Sequence, residues 1–510
     1  MKRTFATFIF LFASVIGANA QITFHKTFEG RVDIGSSVKQ TTDGGYIIGG
    51  NGFGGGYLIK TNAYGDTLWT KIYNGGISTH SVLQTIDGGY ILFGGSYSGG
   101  AGSLDMVLLK TDTNGNLLWS KYYGDIYDNY SYNIQQTSDS GYVIAGFTDT
   151  DTTGFGTSYR SLFLIETDVA GDTMWAKTYI GDFNYCYSMQ QTADGGFILA
   201  GLTYNDAFLL KTDATGIPQW SKAYGGDEAM CVKQLPDGGF IFTGKSNFFS
   251  SGDVYLVRTD INGDLLWSSV LGDSTSQRSY SIVPTNDGGY MIAGSTSGMI
   301  APYLRDIYLL HTDSIGNLVW AKKIINSSND DYSFCIEKTT DEGYVMSAWT
   351  LFNTPEKINL IKLDSMGNAG CSFINTLATS LTPSTIVTNL TAQIVPWNLV
   401  TGNPTWQVVS GGTVATICSS VNVNENEKPG SAFNISPNPA TNKITITNPQ
   451  FAIEAIEVYN LIGQKVFSQL QTENSKLQTA TIDVSKWNKG IYFVKVSDGE
   501  RQYAEKLVIQ

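Results

Sequence analysis

Histidine is nearly absent from this chain: 510 residues contain three, His25, His80 and His311. None stands at an H-E-x-x-H or Cys–His spacing, so the sequence offers no zinc centre. No G-x-S-x-G elbow and no P-loop occurs either. Charge is scarce, at 15 % of residues, and it leans acidic, with Asp and Glu at 45 against Lys and Arg at 32 for a net −13. Such a surface repels phosphate backbones and anionic headgroups, which argues against nucleic acid and membrane surfaces as partners. Beyond residue 20 no apolar run is long enough to span a bilayer. Before it, "MKRTFATFIFLFASVIGANA" has a basic start at Lys2 and Arg3, an apolar run, and a small-x-small pattern at Ala18-Asn19-Ala20. This predicts a signal peptide over 1–20 and an exported, soluble mature chain from Gln21 with no membrane span.

Cysteine is limited to five, an odd count for an exported protein. Cys186, Cys231 and Cys335 sit six or eight residues before a recurring Asp, in slots that other copies fill with Ser or Asn, so they read as small buried residues. Cys371 and Cys418 flank a separate segment and are the disulfide candidates.

Against these absences stand 56 glycines and 12 % aromatic residues. They favour short strands joined by tight turns. The chain repeats one hairpin, beginning with Asp43-Gly44-Gly45-Tyr46 and ending with Asp341-Glu342-Gly343-Tyr344, seven times in all. Asp-Gly between apolar runs is a strong turn signal, and the spacings of 43 to 55 residues are the period of a propeller blade. Each of the first six copies continues through a strand, a Gly turn and a Trp: Trp69, Trp119, Trp175, Trp220, Trp267 and Trp320. The regular indole reads as packing between neighbouring sheets. The seventh copy places Cys371 where Trp is due, while "ITFHKTFEG" near the N-terminus repeats the missing strand, with Phe24, Lys26 and Phe28 for Trp119, Lys121 and Tyr123. The expectation is an all-β, seven-bladed, four-stranded β-propeller over 21–371, closed by the N-terminal strand.

Antiparallel geometry puts the short Asp-Gly turns on one face and the variable connections on the other, where function is expected. The connections feeding the innermost strands crowd the central opening. They supply the candidate binding residues Asp128, Tyr130, Asn184, Tyr185, Asp227, Arg278, Asp331 and Tyr332. Aromatic rings beside carboxylates and amides suit a sugar, through stacking and hydrogen bonds to hydroxyls. No catalytic set and no metal ligands emerge. Turns such as Asp260-Ile261-Asn262-Gly263-Asp264 resemble calcium loops in part, which leaves Ca²⁺ open as a cofactor, although turn chemistry alone accounts for these residue types.

The turn D-x-x-x-G-x-x-x-W marks propellers of the quinoprotein type, and this repeat is similar in its Gly-to-Trp spacing. Its Asp-to-Gly spacing is one residue shorter and the cofactor-clamping set is missing, so the resemblance implies no dehydrogenase. The repeat more closely resembles the D-G-G-Y repeats of exported Bacteroidetes proteins, which imply a fold without a settled activity. After the repeats come a small β-rich segment over 372–420, a polar linker over 421–434, and a last segment over 435–510 with the alternation of a small Ig-like β-sandwich. That segment carries Pro437-Asn438-Pro439, a turn ending at Gly463, Gly490-Ile491-Tyr492 and a terminal strand with Lys506. It closely resembles the C-terminal sorting domain of the type IX secretion system, implying passage across the outer membrane and the secretion machinery as partner. The leading reading is a secreted or cell-surface, non-catalytic propeller that binds a glycan or protein through its variable face. The alternatives are a polysaccharide-degrading or modifying enzyme and a structural or adhesion protein.

Overall fold

The structure, a computed structural model, describes residues 21–419 and 434–509 apart from 30–31, 53–54, 98–102, 151–158, 248–251, 274, 298–304, 325–329, 352–356, short stretches between 370 and 412, and 448–454, 461–464, 471–478 and 498–501. The chain divides into two compact units, Met1–Val421 and Asn422–Gln510.

In the first unit the described residues form seven antiparallel sheets of five strands. We letter the strands of a sheet A to E from the inside out. The first sheet shows the plan: A is Val32–Gln40, B Tyr46–Gly52, C Gly55–Thr61 and D Thr67–Asn74. Strands B and C are buried almost throughout, because each sheet is covered on both faces by its neighbours; their sequences are correspondingly apolar runs rather than alternations. Sheets follow one another in chain order, and strand A of the first packs on strands Asp330–Lys338 and Tyr344–Leu351 of the seventh. Phe24–Glu29 takes the D position of that seventh sheet, with Phe24 opposite Lys362 and Phe28 opposite Ile358.

The A–B turns share one construction. The Asp43 carboxylate accepts hydrogen bonds from Thr41 Oγ1 (2.6 Å), Gly45 N (3.0 Å) and Lys60 Nζ (3.1 Å), while Gly44 takes φ +81°. Between sheets the clasp is equally regular. Trp220 of one D strand lies so close to Gly263 in the next C–D turn that a Cβ there would come within 2.7 Å of the indole. Tyr224 Oη donates to the Gly263 carbonyl at 2.7 Å, and Lys222 reaches Asp264 at 2.6 Å. Phe24 meets Gly65, and Lys26 meets Asp66, in the same way. The N-terminal strand thus makes the contacts that its likeness to "LWSKYYGD" leads one to expect.

One feature differs from the sequence expectation. Four strands per sheet are those of the repeat, but the fifth comes from the segment expected to be a separate small β region. Ile374–Thr376, Thr379–Leu381, Thr388–Asn389, Gln393–Pro396, Val400–Gly402 and Gln407–Val409 pair with the D strands of sheets six, five, four, three, two and one in turn. Thr413–Ser419 then pairs with Phe24–Glu29 of the seventh. The segment runs backwards past all seven sheets as a belt. Pieces of two to seven residues whose partners lie far away in sequence leave no local pattern to read. Of the disulfide candidates, Cys371 lies outside the described residues and Cys418 is described only as part of the last belt strand, opposite His25.

The second unit has two antiparallel sheets, one of Asn434–Ser436, Lys443–Thr447 and Thr479–Asp483, the other of Lys465–Leu470, Ala455–Asn460, Gly490–Ser497 and Gln502–Ile509. Both contribute to a single core that includes Ile444, Ile482, Val458, Val494 and Leu507. Asn438 Oδ1 accepts from Val508 N at 2.9 Å, and Tyr492 Oη donates to Asn488 O at 2.8 Å. Pro437 and Pro439 are exposed, and Gly463 lies outside the described residues.

Candidate ligand site at the central channel

The seven A strands surround a cavity of about 790 Å³. Each strand breaks register with its B strand at an equivalent place, for instance between Ser131 and Asn133 or between Ser279 and Ser281, and the first and fourth do so at a second place as well. The skipped residue lies seven positions before the turn Asp. A bulge of this kind re-aims one side chain while the rest of the ladder keeps its alternation. His80, Tyr132, Tyr187, Met230, Tyr280 and Phe334 occupy six of these places, and all line the cavity. The next residue is the slot filled by Ser, Cys or, in the third sheet, Asn133. Ser188 Oγ accepts from Val232 N, and Ser281 Oγ from Ile336 N, both at 3.2 Å, so small side chains here join neighbouring A strands. Cys186, Cys231 and Cys335 are free thiols; burial pushes Cys335 up to about 11 despite nearby lysines, with the Glu337 charge adding to the effect.

The bulge residues extend two aromatic walls. On the third and fourth sheets Tyr130 stacks on Phe147 at 4.9 Å, Tyr185 lies parallel to Tyr187 at 5.6 Å, and Tyr132 is 5.8 Å from Tyr187. Arg160 covers this group, 4.2 Å above the Tyr185 ring, held by Asp149 (2.9 Å) and Asn184 Oδ1 (3.1 Å). His80 joins at 5.2 Å from Tyr132; burial holds its pKa below the usual value, and its Nδ1 lies 2.6 Å from the Ser131 carbonyl. Across the channel Tyr332 lies parallel to Phe334 at 6.1 Å and 5.6 Å from Trp349, with Arg305 5.2 Å from its ring. Tyr280 meets Phe334 edge-on at 5.4 Å.

The residues picked from sequence are therefore not one cluster. Tyr130, Asn184 and Tyr185 come together under Arg160. Tyr332 belongs to the opposite wall. Arg278 pairs with Glu228, its second amino nitrogen 2.6 Å from Oε2, and these two line a smaller cavity of about 370 Å³ with Asp227, Tyr204, Asn205 and Lys245. Asp227 pairs with Lys245 at 3.3 Å. Asp128 accepts from Leu104 N at 3.0 Å, which ties a loop in place. Asp331 is buried, accepts a hydrogen bond from the Thr350 hydroxyl and does not line the channel. The turn Asp260 spends one carboxylate oxygen on the backbone N–H groups of Asn262 and Asp264, and Asp264 faces Lys222. Sequence reading missed the bulge residues, although an aromatic, His or Met seven residues before six of the seven turn Asp residues was a visible signal. It also missed Phe147, Arg160, Arg305 and Trp349, which come from B and C strands.

Comparison with known proteins bears on the tail. No curated protein matches the chain. A crystal structure of a protein of unknown function from Bacteroides caccae is 11 % identical, with a TM-score of 0.33 over 48 % of this chain and 93 % of that one. Sqt1 from Chaetomium thermophilum is also 11 % identical, with a TM-score of 0.39 over 66 % of this chain and 98 % of that one. Residues 434–510 match the family described as a secretion system C-terminal sorting domain, so the protein ends in a type IX sorting tail and is exported to the cell surface or beyond.

Proposed function

We propose that the first unit is a closed seven-bladed β-propeller and the second an Ig-like sandwich, and that the protein is a non-catalytic glycan-binding module displayed or released by type IX secretion. The observation that carries this reading is that Tyr132, Tyr187, Tyr280 and Phe334 line a channel of about 790 Å³, and that Tyr185 and Tyr332, with arginines over their rings, stack on Tyr187 and Phe334. Flat aromatic faces bury the apolar face of a sugar, and guanidinium and amide groups at their edges donate to its hydroxyls. Arg160 at the first wall is already oriented by Asp149 and Asn184, which limits the ordering entropy that binding must overcome. Thermal shift against a panel of polysaccharides tests it: a ligand-specific rise in melting temperature is expected, lost when Tyr130, Tyr185 and Tyr332 are together changed to Ala. No rise with any glycan sinks the reading.

A second reading has its own support. Leu68, Leu118, Met174, Leu266 and Val319, each just before the repeated Trp, are all more than half exposed. Such a series suits packing of one molecule on another, as in a surface layer. Concentration-dependent self-association without glycan would favour it.

A further inference from the structure

Four charged side chains line the channel: Lys39, Lys233, Arg278 and Glu337. Arg278 is paired with Glu228, and Lys39 with Glu337. The Lys233 side-chain amine makes no hydrogen bond or ion pair with any described residue. It follows Met230, a bulge residue of the same strand, by three positions, which places it about 10 Å further along the channel. Its neighbours Cys231 and Cys335 are thiols, and Glu337 acts on it only through space. Although burial opposes the charge, the field of Glu337 holds the Lys233 pKa above its usual value, so the ammonium stays charged inside the wall. A charged amine in such a place is stabilised by an anion that meets it directly. The chain as a whole carries −13, so a general attraction for anions is not what would bring one there.

We propose, building on the glycan reading above, that the ligand is an acidic saccharide whose rings stack on the aromatic walls and whose carboxylate or sulfate group accepts hydrogen bonds from Lys233 Nζ. Lys39, on the first sheet and already paired with Glu337 of the adjoining seventh, adds positive potential to the channel. The wall then sorts saccharides by charge and the aromatic mouth holds them by shape. Neutral sugars would leave Lys233 without a partner, and that difference is the source of selectivity.

Titration calorimetry on the full chain tests this with three oligosaccharides of equal length: an oligogalacturonate, a sulfated galactan fragment and a neutral galactan fragment. At least one anionic ligand is expected to bind about tenfold tighter than the neutral one, the worth of one charge-assisted hydrogen bond. The preference should shrink with added salt, vanish in Lys233→Met and survive in Lys233→Arg. Whichever of carboxylate and sulfate binds tighter identifies the anion. Equal binding of neutral and anionic ligands by the unaltered chain, or a preference that persists in Lys233→Met, overturns the inference and leaves the glycan reading standing. Binding of none of the three overturns both.

Discussion

The turn after each A strand repeats an arrangement that depends on one charge. A basic side chain on strand C faces the turn Asp in six sheets: Lys60, Lys110, Lys211, Arg258, His311 and Lys362. Burial works against the Asp194 carboxylate, yet Lys211, Thr192 and the Gly196 N–H hold its pKa at about 2. In the third sheet the cation is replaced by Glu166. Burial raises the Glu166 pKa and the nearby Asp139 charge raises it further, against the Trp175 indole N–H. A carboxyl group whose folded pKa lies above its unfolded value stabilises the fold fully below the unfolded value, 4.5 here, and loses that contribution as pH rises through the folded value. At neutral pH Glu166 is therefore a weak point. Glu166→Gln keeps an acceptor for Trp175 and removes the charge. Its melting temperature should exceed that of the unaltered protein at pH 7, and the gap should close by about pH 4. An equal gap at both pH values would show that charge is not the cause.

Among elements, the clasp between a D strand and the next C–D turn carries the packing. It was legible because Trp and Gly recur at a constant four-residue interval. Its partner was not, since Trp220 packs on Gly263 of the following repeat rather than on its own turn. Two substitutions separate turn conformation from packing. Gly195→Ala introduces a side chain at φ +82° with only Ala214 Cβ 3.6 Å away, so it should cost the left-handed penalty alone, about 1 kcal/mol. Gly263→Ala has the same backbone problem at φ +73° and also drives a methyl group to 2.7 Å from Trp220. Urea unfolding should show it at least about 1 kcal/mol more destabilised than Gly195→Ala, the usual order for overpacking. Equal losses would mean that the indole moves aside freely. The A strands taught the opposite lesson. There the bulge adds one residue to the face that lines the channel, and the need for a bulge arises only when A and B strands are paired.

For the whole molecule the belt is the main consequence of tertiary structure. Without it the outer halves of the D strands, such as Ile72–Asn74, Tyr122–Gly124 and Val270–Gly272, would present unpaired backbone groups at the rim. Each belt strand is short, but together they touch every sheet. A chain ending at residue 370 should therefore melt at a lower temperature than one ending at Val421, and should form higher oligomers by edge pairing. Light scattering coupled to size-exclusion chromatography, with a melting curve on each chain, checks both points. A monomer with an unchanged midpoint would show the belt to be dispensable. The belt also ties folding to completion of the chain, because Phe24–Glu29 is flanked by Lys357–Leu363 and Thr413–Ser419, which are among the most distant partners available to it.

Local chemistry by itself determined the all-β class, the seven hairpins, the D-strand character of the N-terminal segment and the sorting tail. Each of these rests on residues within a few positions of one another, or on a motif repeated in order. Only the tertiary structure decided that 374–419 girdles the sheets, that His80, Tyr132, Tyr187 and Tyr280 face one channel, and that Asp331 turns away from it. These depend on strand pairing and register, within each A–B hairpin for the channel residues and between segments up to hundreds of residues apart for the belt. A shift of one residue there reverses which side chains meet, and no local pattern records the shift.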